Sequence, residues 1–201
     1  MKKTQLIISL ILLILLAIFY SVNHIGSLIP SYLKKAEIGS PLVTEDERII
    51  RSEITQIVSD ESSVFVLYGR YGAVQEFDIN GTYKRTYAVY CHPNGRIRVA
   101  TNNGKLLVRD KVDNIYVFSE GVLLDFVSSD QADPIINTID FNEFSDAFEV
   151  RFGSIYYRTV DHNPHCVIGR PAWLMVYQKN ILVYAQFLLI LLLCIINIKR
   201  K

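Results

Sequence analysis

Few of the patterns that carry chemistry occur in this sequence. Its 201 residues hold three cysteines and four histidines, with no C-x-x-C, G-x-S-x-G, P-loop or G-x-G-x-x-G. Those absences remove the common zinc-ribbon, serine-hydrolase and nucleotide-phosphate readings. Asp140-x-Asn142 does not continue into a calcium loop. Basic residues are also scarce where a nucleic-acid binder needs them. From residue 45 to 170 there are 13 Lys/Arg against 19 Asp/Glu, a net charge of −6. Phosphate backbones are held by clustered Lys and Arg, so nucleic acid is not an expected partner.

The one local concentration of potential ligands is Cys91-His92 together with Asp161-His162-Asn163-Pro164-His165-Cys166. A structural zinc site wants four such ligands in convergent geometry. Here His165 and Cys166 are adjacent, and adjacent strand residues point to opposite faces. Turn residues account for the cluster better, so no metal site is assigned. Cys166 with His162 or His165 is the only candidate cysteine nucleophile, and nothing marks an oxyanion donor beside it. A Cys91–Cys166 disulfide requires an oxidising compartment and close geometry. Asn80-Gly81-Thr82 matches a glycosylation sequon, and a hairpin turn explains the same residues. No catalytic, cofactor-binding or metal residue is assigned, no cofactor is expected, and the protein is not read as an enzyme.

What is abundant is hydrophobicity at the two ends. Residues 6–22 are uncharged and dominated by Leu and Ile. At about 1.5 Å per residue they reach roughly 26 Å, near the ~30 Å core of a bilayer. No A-x-A-like cleavage site follows Phe19-Tyr20, so residues 1–22 are read as an uncleaved signal anchor rather than a removed signal peptide. Residues 181–198 form a second apolar run, interrupted by Gln186, with Trp173, Tyr177 and Tyr184 placed as interfacial aromatics. Residues 171–198 are therefore expected to be an interfacial segment and a second transmembrane helix, with 199–201 a basic tail. Gln186 and Cys194 are positions that would face a partner helix. Lys2, Lys3 and residues 199–201 outweigh Lys34, Lys35, Arg170 and Lys179 on the inner flanks. That bias predicts an integral membrane protein of the cell membrane, both termini cytoplasmic and the intervening domain extracytoplasmic.

Between the ends the texture changes. Residues 23–53, with Pro30 and Pro41, read as a connector. From Ile54 onward, eight short runs rich in Val, Ile, Tyr and Phe alternate with breaks such as INGT, NNG and EG. Breaks so short join antiparallel neighbours. The expectation is an all-β fold, an antiparallel meander over residues 54–170. Residues 128–149 read as a solvated acidic insertion, in which Phe141, Phe144 and Phe148 are spaced for one face of a short helix.

Ile57, Leu67 and Gly81 recur 40 residues later as Ile97, Leu107 and Gly121, and Phe77 recurs as Phe118 at 41. This spacing resembles blades of NHL-type or WD-type β-propellers over about 75 residues, although no WD dipeptide occurs. A third, partial unit is expected in residues 148–171, as a hairpin turning at Asn163-Pro164. Propellers close with four to eight blades, and two and a half blades leave an open sheet with unpaired edges. Edges must be covered, twisted away or paired with another chain. The expected function is a membrane-anchored interaction module: an accessory, scaffold or sensory subunit whose partners are the lipid bilayer and a protein chain or further copies of itself. A component of a membrane transport assembly, or an enzyme using the Cys/His cluster, is the alternative.

Overall fold

A computed structural model describes residues 2–26, 35–47, 50, 53–68, 72–90, 96–142, 144–151, 154–158, 165–169, 185, 187–192 and 195. It opens with a helix, α1 (Lys2–Gly26), followed by β1 (Leu42–Thr44). The eight apolar runs then form eight strands: β2 (Ile54–Ser59), β3 (Ser63–Tyr68), β4 (Ala73–Asp78), β5 (Tyr83–Ala88), β6 (Arg98–Asn102), β7 (Lys105–Arg109), β8 (Ile115–Ser119) and β9 (Val122–Val127). After a four-residue helix, α2 (Asp133–Ile136), come β10 (Phe148–Arg151), β11 (Ser154–Tyr157) and β12 (His165–Ile168). The fold is all-β, built from three antiparallel sheets, none of them closed.

The sheets follow chain order. The first is β1-β5-β4-β3-β2, the second β6-β7-β8-β9 and the third β10-β11-β12. The meander breaks between β5 and β6, which do not pair. The first sheet lies between the other two. Val64, Val66 and Tyr68 of β3 pack with Phe148, Ile155 and Ile168 of the third sheet. Phe65 and Leu67, alternating with them, pack with Val99, Leu106, Val108 and Phe118 of the second. Burial on both faces is why β3 reads as an unbroken apolar run.

Tight turns set the registers. Asn103 (φ 49°) and Gly104 (φ 70°) lie between the paired residues Asn102 and Lys105. Glu120 (φ 48°) and Gly121 (φ 87°) lie between Ser119 and Val122. Two consecutive positive φ values make both of these type I′ turns, whose twist matches the flanking strands. At longer turns an aspartate substitutes for missing partners. Asp78 Oδ1 accepts the Asn80 and Thr82 N–H groups at 2.9 and 2.8 Å, and the Thr82 bond holds this carboxyl below its ordinary range. The 40-residue repeat has a structural counterpart. Gly81 and Gly121 each join the third and fourth strands of a four-strand run, and a bulge lies at Glu76/Phe77 in one and Val117/Phe118 in the other.

Three expectations are corrected. The two membrane-spanning helices, the signal anchor, the integral-membrane localisation and the assigned sidedness are not supported, because among the described residues no helix is long and apolar enough to cross a membrane. Trp173, Tyr177, Tyr184, Gln186 and Cys194 lie outside the described residues, as do Asn163-Pro164. The expected helix carrying Phe141, Phe144 and Phe148 does not form. Helix α2 starts earlier, with Pro134 in its first turn, and the three rings part company. Phe141 and Phe148 enter different cores and Phe144 is exposed. Nor are residues 128–149 merely solvated. Ala132, Ile135, Ile136, Ile139 and Phe141 cover Ala100, Leu107 and Ile115 on the outer face of the second sheet.

Gly81 is the tightest position in this framework. Its φ is +88°, and a Cβ there would lie 1.8 Å from the Val167 carbonyl oxygen. At Gly104 (φ +70°) a Cβ would meet nothing within 4 Å. Gly104→Ala is therefore expected to cost about 1 kcal/mol, from backbone strain alone. Gly81→Ala adds a steric clash and should cost about 3 kcal/mol or more. Urea unfolding of the two variants checks this, and equal losses would contradict the packing of the β4–β5 turn on β12.

Candidate functional site

The Cys/His cluster does not assemble into a described site. His165 and Cys166 are exposed on β12, and Cys166 is a free thiol. Cys91, His92 and residues 161–164 lie outside the described residues. No group of three or more His, Cys, Asp or Glu side chains is placed to hold a metal among the described residues. Asn80 and Gly81 of the sequon occupy the β4–β5 turn.

The structure instead gathers polar groups between the first and second sheets. Strand β4 alternates, so Ala73, Gln75 and Phe77 point toward the third sheet while Val74 and Glu76 point toward the second. Glu76 is thereby carried into a cleft of about 430 Å³, with its side chain 6 % exposed. Its carboxylate accepts the Tyr87 hydroxyl at 2.5 Å and the Ser63 hydroxyl at 3.0 Å. Lys84 Nζ and Arg85 Nε lie at 3.4 and 3.2 Å from it. Arg85 also donates through Nη1 to the Glu120 carbonyl, tying the first sheet to the β8–β9 turn. Two hydroxyls donate to its two oxygens and two cations lie beside them, which makes the arrangement a clamp between strands. Sequence reasoning missed it, and the available signal was the polar pair Gln75-Glu76 set between Val74 and Phe77.

Burial and the hydrogen bond to Glu76 push the Tyr87 phenol well above its ordinary range. Burial also raises Tyr83 and Tyr116. The hydroxyl of Tyr116 accepts the Gly39 N–H at 3.3 Å, and its ring begins an aromatic series through Phe118 to Tyr87.

The edges of the sheets show the other candidate feature. Strand β2 ends the first sheet but is covered: Ser145 N–H donates to the Ile57 carbonyl at 2.9 Å, and Thr101 Oγ1 to the Ser59 carbonyl at 3.2 Å. Gln56 closes β2 onto β6. Its Nε2 donates to the Val99 carbonyl at 2.8 Å and its Oε1 accepts the Val99 N–H at 3.0 Å, an imitation of a strand partner. Nε2 also donates to the Phe141 carbonyl at 3.1 Å. At the far side of the second sheet, β9 is different. It is six residues long, and among the described residues no backbone group outside its own sheet pairs with it. Val122 and Leu124 are 60 % and 53 % exposed.

Comparison of the chain with family models, curated proteins and solved structures gives no match. The reading of function therefore rests on this geometry.

Three raised phenols make stability fall at alkaline pH. The unfolded chain ionises near pH 10 while the fold holds these groups neutral, so stability is intact below that pH and declines above it. Tyr87→Phe is expected to cost about 1 kcal/mol at neutral pH, by leaving Glu76 short of a donor. It should also make the alkaline decline shallower in chemical denaturation from pH 8 to 11. An unchanged slope would show that the fold, through burial and Glu76, does not hold Tyr87 neutral.

Proposed function

We propose that this protein is a β-domain interaction module, an accessory, scaffold or sensory subunit that takes an extended segment of a protein partner along β9. The observation that carries the reading is the contrast between edges of equal length. Strand β2 is covered by Ser145, Thr101 and Gln56, whereas among the described residues nothing pairs with the outward backbone donors and acceptors of β9. Such a row is a template for strand addition, in which main-chain hydrogen bonds supply affinity and alternate side chains supply selectivity.

The side chains of β9 describe the partner. Val122 and Leu124 offer exposed apolar surface, and the exposed Asp125, with Glu120 in the adjoining turn, adds negative charge. The matching segment is extended, with apolar residues flanking a Lys or Arg. The saturated Glu76 clamp supports a binding role over catalysis, since it stiffens the base of the β8–β9 hairpin through Arg85 without offering a reactive group.

The protein purified natively with a C-terminal tag is expected to carry a second, different chain in fixed ratio, by mass and composition of the intact complex. Val122→Lys combined with Leu124→Lys should weaken that association by at least about tenfold, or ~1.4 kcal/mol, with the circular dichroism spectrum and melting temperature retained. Undiminished binding by this folded variant would refute strand addition at β9.

A further inference from the structure

On the opposite side of the second sheet lies a patch whose charge runs against that of its surroundings. Residues 45–170 carry a net charge of −6, yet four of their 13 basic residues, Arg96, Arg98, Arg109 and Lys111, line one cleft of about 380 Å³. Asp110 and Asp113 share it, leaving a local net charge of +2. Arg98 and Arg109 are direct partners in the β6–β7 register. Like charges placed directly opposite each other across strands are destabilising unless something compensates them.

The compensation is incomplete. Arg109 is paired with Asp113, at 2.8 Å from Nε and 2.7 Å from Nη2, and lies 5.9 Å over the Phe141 ring. Asp110 is spent on its own turn. Its Oδ1 accepts the Val112 and Asn114 N–H groups and its Oδ2 the Asn114 amide. Arg98 donates to the neutral Asn142 side chain, and among the described residues no carboxylate lies within ion-pair distance of Arg96, Arg98 or Lys111. A second cleft, of about 420 Å³, shares Arg96 and Arg98 and continues past Leu67 to Phe144, whose ring is 43 % exposed.

We propose that Arg96, Arg98, Arg109 and Lys111 bind the oxyanion head of a small organic acid, a phosphate or a carboxylate, whose apolar body lies in the adjoining cleft against Phe144. The planar guanidinium forks of Arg96 and Arg98 match either head group in bidentate geometry. An anion between Arg98 and Arg109 also removes the repulsion built into their register. The site is separate from β9, at the other edge of the same sheet, and stands or falls independently of strand addition there.

Calorimetric titration of the full chain with phenyl phosphate, benzoate, inorganic phosphate and phenol tests the assignment. Saturable binding of phenyl phosphate or benzoate is expected, with phenol at least about tenfold weaker. The tighter of the two acids identifies the head group. Arg96→Gln with Arg98→Gln should lower affinity about tenfold or more, and added salt should weaken binding. Phe144→Ala should weaken phenyl phosphate and benzoate while leaving inorganic phosphate unchanged. If the double variant does not fold, the exposed Lys111→Gln provides the same test with a smaller loss. Absence of saturable binding by all the anionic probes, or affinity unchanged in a folded arginine variant, would overturn the proposal.

Discussion

A single side-chain amide, that of Gln56, decides how the first two sheets meet. It stands where a neighbouring strand would stand, giving and receiving a hydrogen bond at Val99 and giving a second to Phe141. Each of these bonds is buried, and an amide left unpaired there would carry its full desolvation cost. The consequence is geometric. With β2 held against β6, the second sheet cannot continue the first as one wide ribbon. It lies face to face with it, and the apolar faces of both close over Phe65, Leu67, Val108 and Phe118.

Once that joint exists, the edges are no longer equivalent. The two held by Gln56 carry partners at Ile57, Ser59 and Val99, while among the described residues β9, at the other end of the second sheet, keeps its outward backbone groups open. The Glu76 clamp reinforces the same asymmetry from inside the cleft, because Arg85 anchors the turn from which β9 departs. A buried carboxylate is costly unless neutralised and hydrogen-bonded, and here both conditions are met by Ser63, Lys84, Arg85 and Tyr87. The polar interior therefore braces the two sheets against each other.

Much of the strand pattern was legible in the sequence, because alternation and turn chemistry act locally. Asn103-Gly104 and Glu120-Gly121 announce hairpins from their own residues, and the recurrence of Gly81 at Gly121 marks a repeated turn. The partition into stacked sheets was not legible. Nothing local distinguishes the β5–β6 connection, where pairing stops, from the connections where it continues. Gln56 and Glu76 likewise look like ordinary polar residues on a strand. Their meaning depends on Val99 and Tyr87, which are 43 and 11 positions away. Apolar length at the two ends was overread as membrane architecture. The Phe141, Phe144 and Phe148 spacing misled for a related reason: helical periodicity cannot show that each ring has a different neighbour. The arginine pair was visible only as two basic residues until the β6–β7 register set them opposite each other.

Amide hydrogen exchange on the isolated protein tests the central asymmetry of edges most directly. The Val99 and Ser145 amides, which donate to Gln56 Oε1 and to the Ile57 carbonyl of β2, should exchange slowly, as groups with partners do, while alternate amides of β9 should exchange at rates close to those of an open chain. That result places the free template at β9. Protection of β9 equal to that of Val99 and Ser145, with no partner present, would mean that its edge is already covered and that the account is wrong.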